Sequence, residues 1–294
     1  ENMKSDNVFI QLEKVLDRLN LYLSGEVELP DWEKFAAFRW QKLVGGRHKF
    51  QPIKRIDPIT LEDLKGIDKQ KNIVLNNTAR FVRGVRANNV LLTGARGTGK
   101  SSIVKAVFNK LNVEHLRLIE VNKDDLNDIP IILDALEGSK FKFLLFCDDL
   151  SFESNDSGYK ALKAVLDGSL LSLPDNILIY ATSNRRHLMP DYFSDNSDTK
   201  YKKDEIHPSE STEESISLSE RFGLWVSFYP CDQKMYLSIM NYWVDYLANE
   251  SVNKTNIEQE ALQWAIKRGS RSGRVAKQFA IDWVGKNTIE LGGN

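Results

Sequence analysis

The residues best suited to chemistry lie in one short run, Gly94-Ala95-Arg96-Gly97-Thr98-Gly99-Lys100-Ser101, which fits G-x-x-x-x-G-K-[ST]. Glycines at this spacing let consecutive backbone N–H groups turn toward one centre, where they cradle phosphate oxygens. A helix opening at Lys100 would add about half a positive charge there. Lys100 would reach the β and γ phosphates of a nucleoside triphosphate, Ser101 would ligate Mg2+, and Ser102 follows beside it. Val90-Leu91-Leu92 precedes the run and an apolar-periodic stretch follows it, the strand-then-helix context that the motif requires. Such a metal needs a carboxylate from a neighbouring strand end. Phe143 to Cys147, followed by Asp148-Asp149, supplies one: Asp148 would hold Mg2+ directly or through water, and Asp149 would orient the attacking water.

Two other phosphate-loop chemistries fit less well. Asn122-Lys123-Asp124-Asp125 spells the N-K-x-D string that reads guanine in GTPases, but there the string follows the metal-binding strand, and here it precedes Asp148. No D-x-x-G lies between it and the loop. It reads as a charged helix start with Asp124 or Asp125 as N-cap. A small-molecule kinase fits the loop alone and is disfavoured by the additional strand before Asp148.

Alternating strands and helices must hold these groups. Apolar runs at Val90 to Leu92, Leu116 to Val121, Phe143 to Cys147, Ile177 to Ala181 and Leu224 to Tyr229 predict five strands of a parallel α/β sheet. Helices are expected at Lys100 to Leu111, Asp125 to Leu136 and Tyr159 to Leu166. Upstream, helical spacing over residues 8 to 23 and from Asp31 to Val44, the latter stopped by Gly45-Gly46, predicts an N-terminal helical extension over 1–57. The nucleotide-binding core is expected over 58–230. Within it, 192–217 is rich in Ser, Asp, Glu and Lys and reads as a mobile insert. Residues 231–294 carry only helical periodicity, with faces of Tyr236, Ile239, Met240, Trp243 and Leu247, then Leu262, Trp264 and Ile266, then Val275, Phe279 and Trp283; they predict a helical lid.

Composition sets the wider bounds. The 294 residues are 41% hydrophobic and 28% charged, within the range of folded globular chains. The 40 Lys+Arg nearly cancel the 41 Asp+Glu, so no global field draws the protein to nucleic acid or to a membrane. Cys147 and Cys231 lack the spacing of a zinc site and suit a reducing compartment, the cytoplasm by expectation. No apolar run approaches the roughly 20 residues of a membrane span, and none at the N-terminus resembles a secretory leader.

Four further segments stand in the order found in AAA+ ATPases. Thr182-Ser183-Asn184 resembles the sensor-1 strand end, and Ser219-Glu220-Arg221-Phe222-Gly223 resembles the arginine-finger motif. Gly269-Ser270-Arg271-Ser272-Gly273-Arg274 resembles the sensor-2 helix start, and Leu64-Lys65-Gly66-Ile67-Asp68 resembles the box lining the adenine pocket. More narrowly, Cys147-Asp148-Asp149-Leu150-Ser151-Phe152-Glu153, Ser217-Leu218-Ser219-Glu220-Arg221-Phe222-Gly223-Leu224-Trp225 and Arg268-Gly269-Ser270-Arg271-Ser272-Gly273-Arg274 together are similar to the bacterial AAA+ family catalogued as domain of unknown function 815, with the resemblance running from about Phe38 to the C-terminus.

The resemblance implies ATP and Mg2+ as ligands, with Gly66 and Ile67 at the base. Asn184 would hold the attacking water, and Arg221 would reach the γ-phosphate of a neighbouring copy, which implies a ring or helical homo-oligomer. Arg274 would report the phosphate to the lid, with Arg271 as the competing candidate. Many AAA+ enzymes carry Asp-Glu where this chain has Asp148-Asp149. The shorter Asp149 displaces the base by about a bond length, and 1 Å of misplacement costs about 10²-fold, so hydrolysis is expected to be slow.

Three functions remain open at this level. The first is an ATPase that remodels a protein client through its lid. The second is an ATP-dependent nucleic-acid factor, suggested by Lys34 to Ile56, which holds seven Lys/Arg, no acid, and Phe35, Phe38, Trp40 and Phe50. An amphipathic helix packing those aromatics on the core is the competing reading of that stretch. The third is a nucleotide-gated scaffold with little turnover.

Overall fold

Period-two alternation governs the N-terminal region of the computed structural model. After the short strand Val27–Glu28 (β1), the stretch Ala37–Lys42 buries Ala37, Phe38 and Trp40 while Arg39 and Gln41 face solvent. It is therefore a strand (β2), antiparallel to His48–Pro52 (β3), with Trp40 opposite Phe50. The helix expected from Asp31 to Val44 is corrected to a hairpin. Gly45 and Gly46, read from the sequence as a helix stop, have φ of 85° and 75° and form its turn, closed by the Leu43 N–H donating to the Arg47 carbonyl at 2.8 Å. The Trp32 ring packs 4.6 Å from Phe38, 5.1 Å from Phe50 and 5.0 Å from Phe143, so these aromatics close a core.

The structure describes residues 27–112, 115–152, 156–168, 173–184, 218–248 and 255–291. The helix expected over 8–23, Glu153 and the insert 192–217 lie outside them. All five expected strands appear: Val90–Gly94 (β4), Leu116–Glu120 (β5), Lys142–Cys147 (β6), Ile177–Ser183 (β7) and Leu224–Phe228 (β8). With β1 to β3 the described residues hold eight strands, and the β2–β3 pairing makes the architecture mixed rather than purely parallel.

The chain divides into two compact units. The first comprises residues 1–56, 112–148 and 155–179. Its strands run β1-β3-β2-β5-β6, with β2 parallel to β5 and β5 parallel to β6. The Asn122 string begins a 3-10 helix, Lys123–Asp128, with Asn122 at the cap and Asp124 and Asp125 inside its first turn, so neither aspartate is the cap. Asp68–Val82 (α1) and Lys100–Leu111 (α2), the latter bounded as expected, precede β5 in the chain and belong to the second unit. The α-helix after the 3-10 turn is the shorter Ile129–Leu136 (α3), and Ser157–Leu166 (α4) follows β6, its Asp156 cap accepting from the Gly158 N–H at 3.1 Å.

The second unit comprises residues 57–111, 149–154 and 180–294. There β4 pairs in parallel with the last residues of β7 on one side and with β8 on the other. Besides α1 and α2 it holds Gln233–Leu247 (α5), Ile257–Lys267 (α6) and Gly273–Leu291 (α7), and these last three pack together. Their core is Tyr236, Met240 and Val244 against Ala261, Ala276 and Ala280, all fully buried, and the small alanines let the helix axes approach. On α6 the buried face is Ile257, Ala261 and Ala265 rather than the expected stripe, since Ile266 is 74% exposed.

Candidate nucleotide site

Almost every residue singled out for chemistry falls in the second unit. β4 ends at Gly94, whose φ of 137° turns the chain away from β8; a Cβ there would sit 2.0 Å from the Phe228 carbonyl oxygen. Gly97 and Gly99 also have positive φ, 75° and 101°, a region open to glycine at little cost. Between them Thr98 is buried and its hydroxyl donates to the Ala95 carbonyl at 2.8 Å, which fixes the loop. Arg96 is exposed at the tip, and Ser101 and Ser102 are half-buried in the first turn of α2.

Lys100 is only 6% exposed. Its amine donates to the Gly94 carbonyl at 2.6 Å, the Ala95 carbonyl at 2.8 Å and the Asn184 amide oxygen at 2.9 Å, all neutral acceptors. The Asn184 amide nitrogen in turn donates to Asp149 Oδ1. Asp149 has φ of 55°, the left-handed region that Asp tolerates better than most residues, and its N–H donates to Thr182 Oγ1 at 2.8 Å. The next N–H, of Leu150, donates to the Thr182 carbonyl at 2.7 Å. Thus the end of β7 places Asp149 through one bond that Thr182 accepts from its N–H, a second that Thr182 accepts from the Leu150 N–H, and one that Asn184 donates.

Asp148 belongs to the first unit and follows β6 directly, half-buried. Burial, with the Asp148 charge adding, pushes the neighbouring Cys147 thiol up to about 12, so it stays neutral and is not a nucleophile. Cys231 is likewise raised by burial, partly offset by the Gly273 N–H.

The box residues and the start of α7 meet the loop from other directions. Ile67 Cδ1 and a Leu64 methyl face Gly99, at 3.2 and 3.9 Å from where its Cβ would be. Gly66, with φ of 74°, lies under Met235 of α5, whose sulfur would be 1.8 Å from a Cβ. The Gly273 N–H donates to the Gly97 carbonyl at 3.1 Å, and a Cβ on Gly97 would lie 2.7 Å from Ser272 Oγ. Arg274 is exposed in the first turn of α7 with its Cβ beside Gly97, while Arg271, also exposed, precedes the helix. Ser272 was not visible as a site residue in the sequence; its burial at 4% beside the loop is what identifies it.

Arg221 stands elsewhere. In the register of β4 and β8, Leu224 is opposite Val90 and Phe228 is opposite Gly94. The loop leaves β4 at the Phe228 end, and Arg221 precedes the Leu224 end. Four residue steps of about 3.3 Å put about 13 Å of strand between those ends. Arg221 and the chain's own loop therefore lie at opposite ends of this strand pair.

A family model described as "Protein of unknown function (DUF815)" matches residues 33–287. The chain belongs to this family. No curated protein matches it. Among solved structures, C. elegans PCH-2 is similar at 19% identity and a TM-score of 0.50, over 74% of this chain and 63% of that one. Thermotoga maritima RuvB, a Holliday junction branch migration motor, is similar at 18% identity and a TM-score of 0.49, over 76% of this chain and 63% of that one. The AAA domain of FIGL-1, solved with ADP, is similar at 16% identity and a TM-score of 0.49, over 81% of this chain and 76% of that one. This DUF815 chain thus spans less than two thirds of the RuvB and PCH-2 chains. Its fold is the α/β fold of AAA+ P-loop NTPases. Among the described residues no helix is long and apolar enough to cross a membrane.

Proposed function

We propose that this protein is an ATPase that binds Mg-ATP in the Gly94–Ser101 loop and uses hydrolysis to shift its C-terminal helices against the loop. The observation that carries the reading is the Lys100–Asn184–Asp149 chain of hydrogen bonds, which joins a phosphate-binding amine to a carboxylate through one amide.

The residues present fit a triphosphate. A nearly buried cation faces neutral oxygens in a loop whose glycines adopt positive φ, and charged phosphate oxygens are stronger acceptors for that amine than carbonyls. Ser101 would be a ligand of Mg2+, which takes few protein ligands when phosphate and water supply the rest. When bound, the ion neutralises charge developing on the β and γ phosphate oxygens. Lys100 binds those same oxygens. Asn184 orients the attacking water, and Asp149 accepts its proton at the carboxylate. Arg274, beside Gly97, senses the phosphate, with Arg271 as its competitor. Arg221, at the far end of the strand pair from its own loop, serves the γ-phosphate of a neighbouring copy, so the active form is a ring or helical homo-oligomer acting on a protein client.

Steady-state phosphate release tests the reading. Wild type should turn ATP over and Lys100→Ala should not; equal rates would overturn it.

A second reading, a nucleotide-gated scaffold, is favoured by the short Asp149 side chain held on Asn184. Tight ATP binding without phosphate release would select it. For the nucleic-acid reading, three of its four aromatics, Phe38, Trp40 and Phe50, are 0 to 2% exposed and closed to stacking, while Phe35 is half-buried with the Lys34 amine 5.6 Å from its ring centre.

A further inference from the structure

Met235 and Tyr242 are seven residues apart on α5, two helical turns, and so share one face. That face lies along the segment that ends in the box. The Met235 thioether lies over Gly66 where a Cβ would displace it, and Tyr242 Oη donates to Asp63 Oδ1 at 2.6 Å. Two turns of helix rise about 10.5 Å, so α5 meets the Asp63–Gly66 segment, which is turn backbone, at two separate points.

The Asp63 end is built for this bond. Its other oxygen, Oδ2, accepts from the Thr60 N–H at 2.8 Å and the Thr60 hydroxyl at 3.0 Å, which leaves Oδ1 directed at Tyr242. Lys65, two residues on, places its amine 4.0 Å from the centre of the Tyr242 ring. Asp63 and Lys65 thus grip one aromatic side chain by its tip and its face. The box residues Leu64 and Ile67 lie on the same stretch and touch Gly99 of the phosphate loop.

We propose that Tyr242 is a positioning residue for nucleotide binding, a clasp through which α5 holds the box in its nucleotide-competent placement. The inference rests on the ATP reading above. A clasp of this kind pre-organises the pocket: when it opens, only a fraction of molecules is competent, and apparent affinity falls by that fraction while the chemical step is untouched.

Tyr242→Phe is the test, because it keeps the ring, its packing and the Lys65 contact and removes one donor. Binding of a fluorescent ATP analogue should weaken about tenfold, the size expected for loss of a hydrogen bond to a charged acceptor. Single-turnover hydrolysis at saturating ATP should stay within about twofold of wild type. Lys65→Met, which removes the charge over the ring and leaves the hydroxyl bond, should weaken binding by a smaller factor, and its melting temperature without nucleotide should stay near wild type. Unchanged affinity in Tyr242→Phe, or affinity and single-turnover rate falling together, would overturn the clasp. A wild-type protein that does not bind the analogue at all would instead overturn the ATP reading, and the clasp with it.

Discussion

Asn184 accepts a hydrogen bond from Lys100 and donates one to Asp149, so a single amide connects the phosphate loop to the carboxylate after β6. The amide's two ends differ chemically, and only Asn in this orientation serves a cationic donor and an anionic acceptor together. Asn184→Ala should leave ATP binding within about threefold of wild type and lower the single-turnover rate by about 10²-fold, since the water-orienting geometry is lost. Asn184→Asp would set a carboxylate against Asp149 and should do no better. Rapid-quench measurement with parallel binding titrations checks both.

Asp149 separates stability from activity. Its φ of 55° costs a non-glycine residue about 1 kcal/mol, a strain that Asp149→Gly removes at the same time as the carboxylate. The variant should be as stable as wild type, or up to about 1 kcal/mol more so, in urea unfolding, and should show no turnover. Loss of stability by more than about 1 kcal/mol would mean that the Asn184 bond outweighs the strain.

Gly97 is crowded as well as left-handed. Gly97→Ala places a Cβ 2.7 Å from Ser272 Oγ, so either the loop or the start of α7 must move. We expect ATP affinity to fall at least about tenfold and stability by about 1–3 kcal/mol. Adding Ser272→Gly should recover part of both losses, because it removes the clash and leaves the φ of 75° unrelieved. A double-mutant cycle with no coupling would contradict the contact.

The Asp63–Tyr242 pair predicts a pH dependence of stability. Burial is the largest influence on Tyr242 and, with its bond to Asp63, raises it to about 12 from its ordinary 10. Burial of Asp63 opposes its charge, but the bonds from Tyr242 and Thr60, with the Lys277 charge, outweigh it and leave Asp63 below its ordinary 3.8. A raised tyrosine stabilises the fold below pH 10, and that contribution disappears as pH climbs through about 12. A lowered carboxylate stabilises above 3.8 and loses its contribution as pH falls beneath that value. Lys65, Tyr246 and Glu62 also face the pair. Tyr242→Phe should cost about 1–2 kcal/mol at neutral pH and flatten the alkaline limb between 10 and 12. Urea titrations across pH would reveal a limb that stays as steep.

The glycine loop, the Asp148-Asp149 strand end and the five core strands were legible because local chemistry and short continuous apolar runs specify them with no reference to the rest of the chain. The hairpin at β2 and β3 was not. Trp32, Phe35 and Phe38 sit three residues apart and imitate a helical stripe, whereas the signal that prevailed is Phe38 and Trp40 both at 0% exposure with Arg39, between them, paired to Glu120 at 2.7 Å. Gly45-Gly46 suits a helix stop and a turn equally well. On α6, Ile266 suggested a buried stripe, but alanines face the core there because neighbouring helices come close. Ser272 and Tyr242 carry no motif; only the folded chain brings them to the loop and to Asp63 beside the box.

The opposite placement of Arg221 and the Gly94–Ser101 loop has a consequence for assembly. If Arg221 serves a neighbour's loop as proposed, copies either repeat head to tail or pair reciprocally about a two-fold axis, since each protomer then offers one end and receives at the other. In either arrangement a subunit without the Arg221 guanidinium would keep its own loop and silence the neighbour it should have served, so the defect would surface in a chain whose sequence is intact.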